Sequence, residues 1–173
     1  FITNGVHGDL YFVAARTGQA RHAISIFIVE KGTPGFTVGR KEDKLGVRSS
    51  DTSELVFEDC RVPVGNLLGQ EGMGFIDTLR ILDKGRIGIA GFSLGIAQAA
   101  FEASLRYARE RKQFGHPIAD FQAIQFKIAE MATKVAASRL LAHRAASLRD
   151  RGREHTAESS MAKLFAGDAA VEV

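Results

Sequence analysis

The sequence has 173 residues, 45% of them hydrophobic and 25% charged, which suits one soluble domain or parts of two. Its 23 basic and 20 acidic residues leave a net charge of only +3, too balanced to argue for a nucleic-acid partner. One cysteine, Cys60, excludes an internal disulfide, and no uninterrupted apolar run reads as long enough to cross a membrane.

In chain order, the first third reads as β. "DLYFVAART" (9–17), "AISIFIVEKG" (23–32), "GFTVGRK" (35–41) and "SELVFEDCRVP" (53–63) are short runs rich in β-branched and aromatic residues, bounded by Gly and polar clusters. "EKGTPGF" is a turn, with Pro34 presetting φ and Gly35 supplying the permissive next position. No helix separates these strands, so they form an antiparallel meander or a small barrel. Ser49, Ser50 and Asp51 read as capping groups at a turn or strand entry.

"GNLLGQEGMGF" (65–75) reads as a hinge, after which the apolar period changes to about 3.6 residues. Phe75, Leu79, Leu82, Ile89 and Ile96 fit one long amphipathic helix over about 75–113. Phe121, Ile124, Ile128, Met131, Val135 and Leu141 fit a second over about 120–151, stopped by "DRGR". A third begins near Thr156, with Glu158 in its first turn. Long helices with short connections make antiparallel neighbours. The fold class is therefore α+β: the end of a small antiparallel β-barrel domain (1–68), then part of an antiparallel helical-bundle domain (69–173). Both ends read as interrupted elements, so an internal piece of a longer protein is expected.

Three features of the helical part invite a chemical reading. Gly85, Gly88, Gly91 and Gly95 recur on one helix face, where each costs about 1 kcal/mol against Ala. Close packing of another helix is favoured there over a ligand. Asp83 and Arg86 make either a local ion pair or a polar pair at a pocket mouth that Gly85 leaves open. "YARERKQFGHPIADFQ" (107–122) gathers Arg109, Arg111 and Lys112 behind Arg106 and ahead of Gly115, which suits a helix C-terminus, with Gly115 as its cap. Alternatively it is a cationic grip on an anion. The five histidines have no zinc-ligand spacing with a carboxylate or thiol partner.

Several strings resemble the acyl-CoA dehydrogenase family in order and over essentially the whole chain. They are "FITNG" (1–5), "FIVEKGTPGFTVGRKEDKLGVRSSDT" (27–52), "LVFEDCRVPVGNLLGQEGMGF" (55–75), "LDKGRIGIA" (82–90), "LGIAQAAFEASLRYARERKQFGHPIADFQAIQFKIAEMA" (94–132) and "SMAKLFA" (160–166). The likeness is greatest to short-chain and short-branched-chain members. It implies an FAD enzyme that removes an α-proton and a β-hydride from an acyl-CoA thioester and passes electrons to an electron-transfer flavoprotein. It also implies a homotetramer, in bacterial cytoplasm or the mitochondrial matrix.

The resemblance assigns roles position by position. Phe1, Ile2 and Thr3 match the strand beside the isoalloxazine ring, with the Thr3 hydroxyl near flavin N5. Asp83, Lys84, Gly85 and Arg86 match the segment lining the thioester and pantetheine. Arg111, Gln113 and Phe114 match a group reaching the FAD of a neighbouring subunit, with Arg111 on the pyrophosphate. Gln122 matches a further FAD contact. The base is expected to be a Glu beyond Val173, because glycine stands at position 85, where isovaleryl- and long-chain-type members carry theirs. An oxidase or related flavoprotein on the same scaffold, or a non-catalytic helical assembly module, are the rival readings.

Overall fold

The computed structural model describes residues 1–173, which divide into two compact units, Phe1–Thr78 and Leu79–Val173. The division falls inside the first turns of a helix rather than in the glycine-rich stretch before it.

The first unit holds β1 (Ile2–Thr3), β2 (Leu10–Arg16), β3 (Ile24–Glu30), β4 (Phe36–Lys41), β5 (Thr52–Phe57) and β6 (Leu67–Leu68). They form two open antiparallel sheets of three strands, β1-β5-β4 and β2-β3-β6: the antiparallel reading holds, and no closed barrel is found. With three strands a side, neither sheet can curl far enough to close on itself. Alternation along β2 turns Tyr11 and Val13 inward and Leu10, Phe12 and Ala14 outward. Tyr11 meets Phe36 edge to face at 4.7 Å, and Phe36 stacks on Phe57 at 4.8 Å, so aromatic rings join the two sheets.

The Thr33–Phe36 turn forms as read. The Phe36 N–H donates to the Thr33 carbonyl at 3.0 Å, and Gly35 takes φ +81°. Pro then Gly with positive φ is a type II turn. The stretch read as a hinge is anchored. The Gly72 N–H donates to the buried Ser25 hydroxyl at 2.8 Å, and Phe75 stacks on His22 at 4.4 Å.

Helix α1 (Gly74–Glu110) leads into the second unit, followed by α2 (Gln122–Asp150) and α3 (Thr156–Glu172). Gly152, at φ +64°, ends α2 with a double cap: its N–H donates to the Arg149 carbonyl and the Arg153 N–H to the Leu148 carbonyl. That is the Schellman pattern, and it turns α3 back along α2. Arg144–Glu158 and Lys134–Glu172 pair across the two antiparallel helices.

The helical seam bears out one expected stripe and not the other: along α2, Phe121, Ile124, Ile128, Met131, Val135 and Leu141 are half-buried or buried. Ala90, Ala142, Ala145, Ala162 and Ala166 form its buried cluster. Leu82, Ile89 and Ile96, expected to face the core, are about half exposed. Small side chains let the helices approach closely, with Ile87 and Leu141 packed against the cluster. A Cβ on Gly85, Gly88, Gly91 or Gly95 would meet nothing within 4 Å, so no helix of this chain packs on the glycine face.

Contrary to the sequence expectation, α1 is long and apolar enough to cross a membrane by length and composition. Its buried Ala90, Ser93 and Ala97, and a 2.7 Å hydrogen bond from Arg139 of α2 to its Gln98, mark it as a helix packed in a bundle.

Candidate functional site

In the β unit, β1 pairs with β5 through Ile2 opposite Ser53 and Thr3 opposite Thr52. The chain then turns at Asn4, whose φ is +61°. The Asn4 N–H donates to the Asp51 carbonyl at 3.0 Å, and the Val6 N–H to an Asp51 carboxylate oxygen at 2.7 Å. The Tyr11 hydroxyl lies 2.9 Å from the Gly5 carbonyl and 2.7 Å from that of Gly8. Burial, and then the negative charges of Asp9 and Asp51, push the Tyr11 pKa up. Asp51 thus holds the turn after β1 rather than capping its own loop. Its bond spans 45 residues, and no local pattern could have revealed it.

Beside this turn lies a cleft of about 700 Å³, lined by Phe1, Ile2, Thr3, Leu10, Phe12 and Phe57 among others. Phe1 and Phe12 are 89% and 67% exposed. The lining is largely apolar, with Thr3, Asn4 and Glu54 as its polar members, and the Thr3 side chain makes no hydrogen bond within the chain. That arrangement suits a flat aromatic ring with a polar edge.

In the helical unit, Asp83 and Arg86 form the one-turn ion pair of α1, and the second Asp83 oxygen accepts the Thr156 hydroxyl at 2.6 Å. Asp83 therefore ties α1 to the start of α3. Asp83 and Lys84 line a cleft of about 310 Å³ with Arg80, Arg153, His155 and Thr156. Gly85 is not in its wall and faces open space, so the four residues of the 83–86 segment do not share one cavity.

The cationic segment is a helix end only in part. α1 stops at Glu110, leaving Arg106 and Arg109 in its last turns and Arg111 and Lys112 beyond it. Lys112–Gln113 (β7) then pairs with His116–Pro117 (β8) in a two-stranded ribbon. At its tip Phe114 and Gly115 have φ of +53° and +85°. Two successive positive φ values make a type I′ hairpin turn, so Gly115 closes a hairpin and is not the helix cap. A phenylalanine in left-handed backbone costs about 1–3 kcal/mol. This one holds its ring 89% exposed, edge-on to Phe121 at 6.2 Å. The side chains of Arg111, Gln113 and Gln122 are exposed, and none makes a hydrogen bond or ion pair within the chain. The ribbon brings Arg111, Gln113 and Phe114 together, and Gln122 opens α2 a few residues on.

Comparison with known proteins covers both units of the chain. Residues 1–60 match the family model of the acyl-CoA dehydrogenase middle domain, and residues 72–173 match that of the C-terminal domain. An acyl-CoA dehydrogenase of Bacillus subtilis is 55% identical over 99% of this chain. The butyryl-CoA dehydrogenase structure from Megasphaera elsdenii superposes with a TM-score of 0.90 at 47% identity, covering 98% of this chain and 45% of that one. An FAD complex of PigA superposes with a TM-score of 0.94 at 31% identity, covering 99% and 45%. The chain spans a little under half the length of the B. subtilis relative, 46%. With both family models matched in order, the chain belongs to the acyl-CoA dehydrogenase family of FAD-dependent oxidoreductases.

Proposed function

We propose that this chain is part of an acyl-CoA dehydrogenase acting on a short or branched acyl-CoA thioester, with Phe1–Thr3 and Arg111–Gln122 as its two FAD-facing segments. The observation that carries the proposal is the Arg111 ribbon. A strained turn presents an exposed aromatic ring beside an unpaired guanidinium and an unpaired amide. Such strain persists only where the surrounding structure over-determines the backbone, and it clusters at active sites and ligand clamps.

The residues fit the cofactor. Arg111 offers a bidentate cation for a pyrophosphate, and Gln113 and Gln122 offer free amides. Phe114 offers a stacking face. The Phe1, Ile2 and Phe12 platform suits the ring system, with Thr3 as its hydroxyl donor. Bound FAD supplies the hydride acceptor. In this reading the two segments serve different FAD molecules, because the Arg111 ribbon serves the cofactor of a neighbouring copy.

The chain's own part in the reaction is to bind, orient and exclude water. The platform keeps solvent from one face of the ring, and the Thr3 hydroxyl holds its proton toward it, a preorganised dipole. The 83–86 segment is assigned to the thioester and pantetheine. Asp83 is already held by Arg86 and Thr156, so it serves as a fixed acceptor and not as a mobile base. The base is assigned to a Glu beyond Val173. An electron-transfer flavoprotein is the proposed electron acceptor. Homotetramer assembly is proposed to cover the large apolar side chains that the helices leave outside, among them Phe92, Leu140 and Leu164 at 62–72% exposure.

Replacing Arg111 by Ala in the intact protein tests the assignment. Loss of a desolvated charge-assisted contact predicts about 10- to 100-fold weaker FAD binding, measured by flavin fluorescence titration. Unchanged affinity would remove the ribbon from the site. Anaerobic butyryl-CoA should bleach the yellow protein, and readmitted oxygen separates the two enzyme readings: fast recolouring marks an oxidase.

A further inference from the structure

We propose that Asp51 is a positioning residue for the flavin-facing strand: its carboxylate and its carbonyl together clamp the Asn4–Val6 turn and so fix Thr3 on the cleft wall. The inference rests on the assignment of Phe1–Thr3 to the flavin.

Asp51 is only 2% exposed. Burying a carboxylate is costly unless its oxygens find donors. The donor found is the Val6 N–H at 2.7 Å, within the range of charge-assisted bonds. The side chain makes no hydrogen bond to its own loop. The Asp51 carbonyl accepts a second amide, that of Asn4, at 3.0 Å. The Asn4 and Val6 amides are thus both held by one residue.

The acceptors of the same turn are held from elsewhere. The Tyr11 hydroxyl serves the Gly5 and Gly8 carbonyls, and Lys31 Nζ donates to the Val6 carbonyl at 2.8 Å. The turn needs this, since Asn4 sits in left-handed backbone at φ +61°. β1 is only two residues long, too short to hold its own register. Ser53 is the other polar side chain beneath this segment. It is fully buried, and its hydroxyl has no partner. A Cβ on Gly5 would lie 2.2 Å from that oxygen, so Ser53 packs under the turn without bonding to it. Directional anchoring of the amides therefore falls to Asp51, one residue before the Thr52 that pairs with Thr3.

The test uses the intact flavoprotein and two readouts, the flavin midpoint potential and amide hydrogen exchange over residues 3–6. Thr3→Val is expected to shift the potential. Asp51→Ala is expected to shift it in the same direction and to speed exchange across the turn. D51N keeps an acceptor oxygen without the charge and should give a smaller shift. In a Thr3→Val background both Asp51 variants should add almost nothing, the non-additivity of residues acting through one contact. If Asp51→Ala does not fold, D51N alone and with Thr3→Val carries the same comparison. A shift with Thr3→Val but none with the Asp51 variants overturns the clamp and leaves the flavin assignment of β1 standing. Asp51 shifts that persist in full in the Thr3→Val background overturn it too, as does unchanged exchange. No shift with Thr3→Val removes the flavin assignment itself, and the clamp with it.

Discussion

In the β unit, Tyr11, Phe36 and Phe57 meet ring to ring between two short sheets, and tight turns bring backbone against backbone. In the helical unit, the wholly buried positions are Ala90, Ala97, Ala145, Ala162 and Ala166, with Ser138 and Ser159, while Phe92, Phe126, Leu140 and Leu164 lie outside. The first unit spends its large side chains on its own core. The second keeps a close seam of small residues, edged by Ile87 and Leu141, and presents many of its large apolar ones outward. Tolerance to substitution should differ accordingly, and the sharpest tests are those that treat matching residue types differently.

The largest effect is expected at Gly35. Its φ is +81°, and an added Cβ would lie 2.3 Å from the Glu58 carbonyl oxygen and 2.9 Å from the Cys60 backbone. Backbone cannot move aside as a flexible side chain can. Gly35→Ala should cost upwards of ~3 kcal/mol, read as a fall in Tm and in denaturant midpoint. A loss under ~1 kcal/mol would show that the turn can relax.

Next comes the alanine seam. Ala162 is fully buried beside Ala90, Ala145 and Ala166. Ala162→Leu should cost about 1–3 kcal/mol by overpacking. Leu164→Ala, two residues on and 62% exposed, should change the stability of an isolated chain by less than ~0.5 kcal/mol. In the assembled protein a larger loss would show that Leu164 is covered by a neighbour.

The glycine face gives a test of opposite sign. A Cβ on Gly88 meets nothing within 4 Å, so Gly88→Ala should raise Tm, by about 0.5–1 kcal/mol of helix propensity. A fall in Tm in the assembled protein would show that another backbone lies against this face, which was the packing read from its spacing.

These contrasts also mark how far the sequence could be read. The strands, the Pro34–Gly35 turn and all three helices were legible, because period and turn chemistry are local. The alanine seam was not. Apolar periodicity weights Leu, Ile and Phe; along α2 such residues do turn inward, but along α1 Leu82, Ile89 and Ile96 lie on a face that the chain leaves uncovered. Arg111, Gln113 and Phe114 were legible as a group, but their hairpin was not, since phenylalanine rarely occupies the left-handed region that Phe114 adopts. The Asp51–Val6 bond was illegible because nothing near Asp51 points to a partner 45 residues away. Meander and small barrel both suited the strand pattern, because strand spacing does not distinguish open sheets from a closed one.

The smallest expected effect is alkaline. The Tyr11 hydroxyl is buried against two carbonyls and near Asp9 and Asp51, so its pKa lies above the ordinary 10.0. The folded state then holds this proton more tightly than the unfolded state. The stability linked to it is fully present below about pH 10 and is lost as pH rises from there through the raised value. Tm followed from pH 8 to 11 should show this loss, and in Tyr11→Phe that part of the slope should vanish. Tyr11→Phe should also be less stable at neutral pH, because the Gly5 and Gly8 carbonyls lose their donor. The helical unit buries no tyrosine, Tyr107 being 58% exposed, so an alkaline transition confined to β-unit amides in hydrogen exchange would assign the effect to Tyr11. A Tyr11→Phe protein whose alkaline slope matches that of the parent would instead show that the hydroxyl loses its proton in the folded state as readily as in the unfolded one.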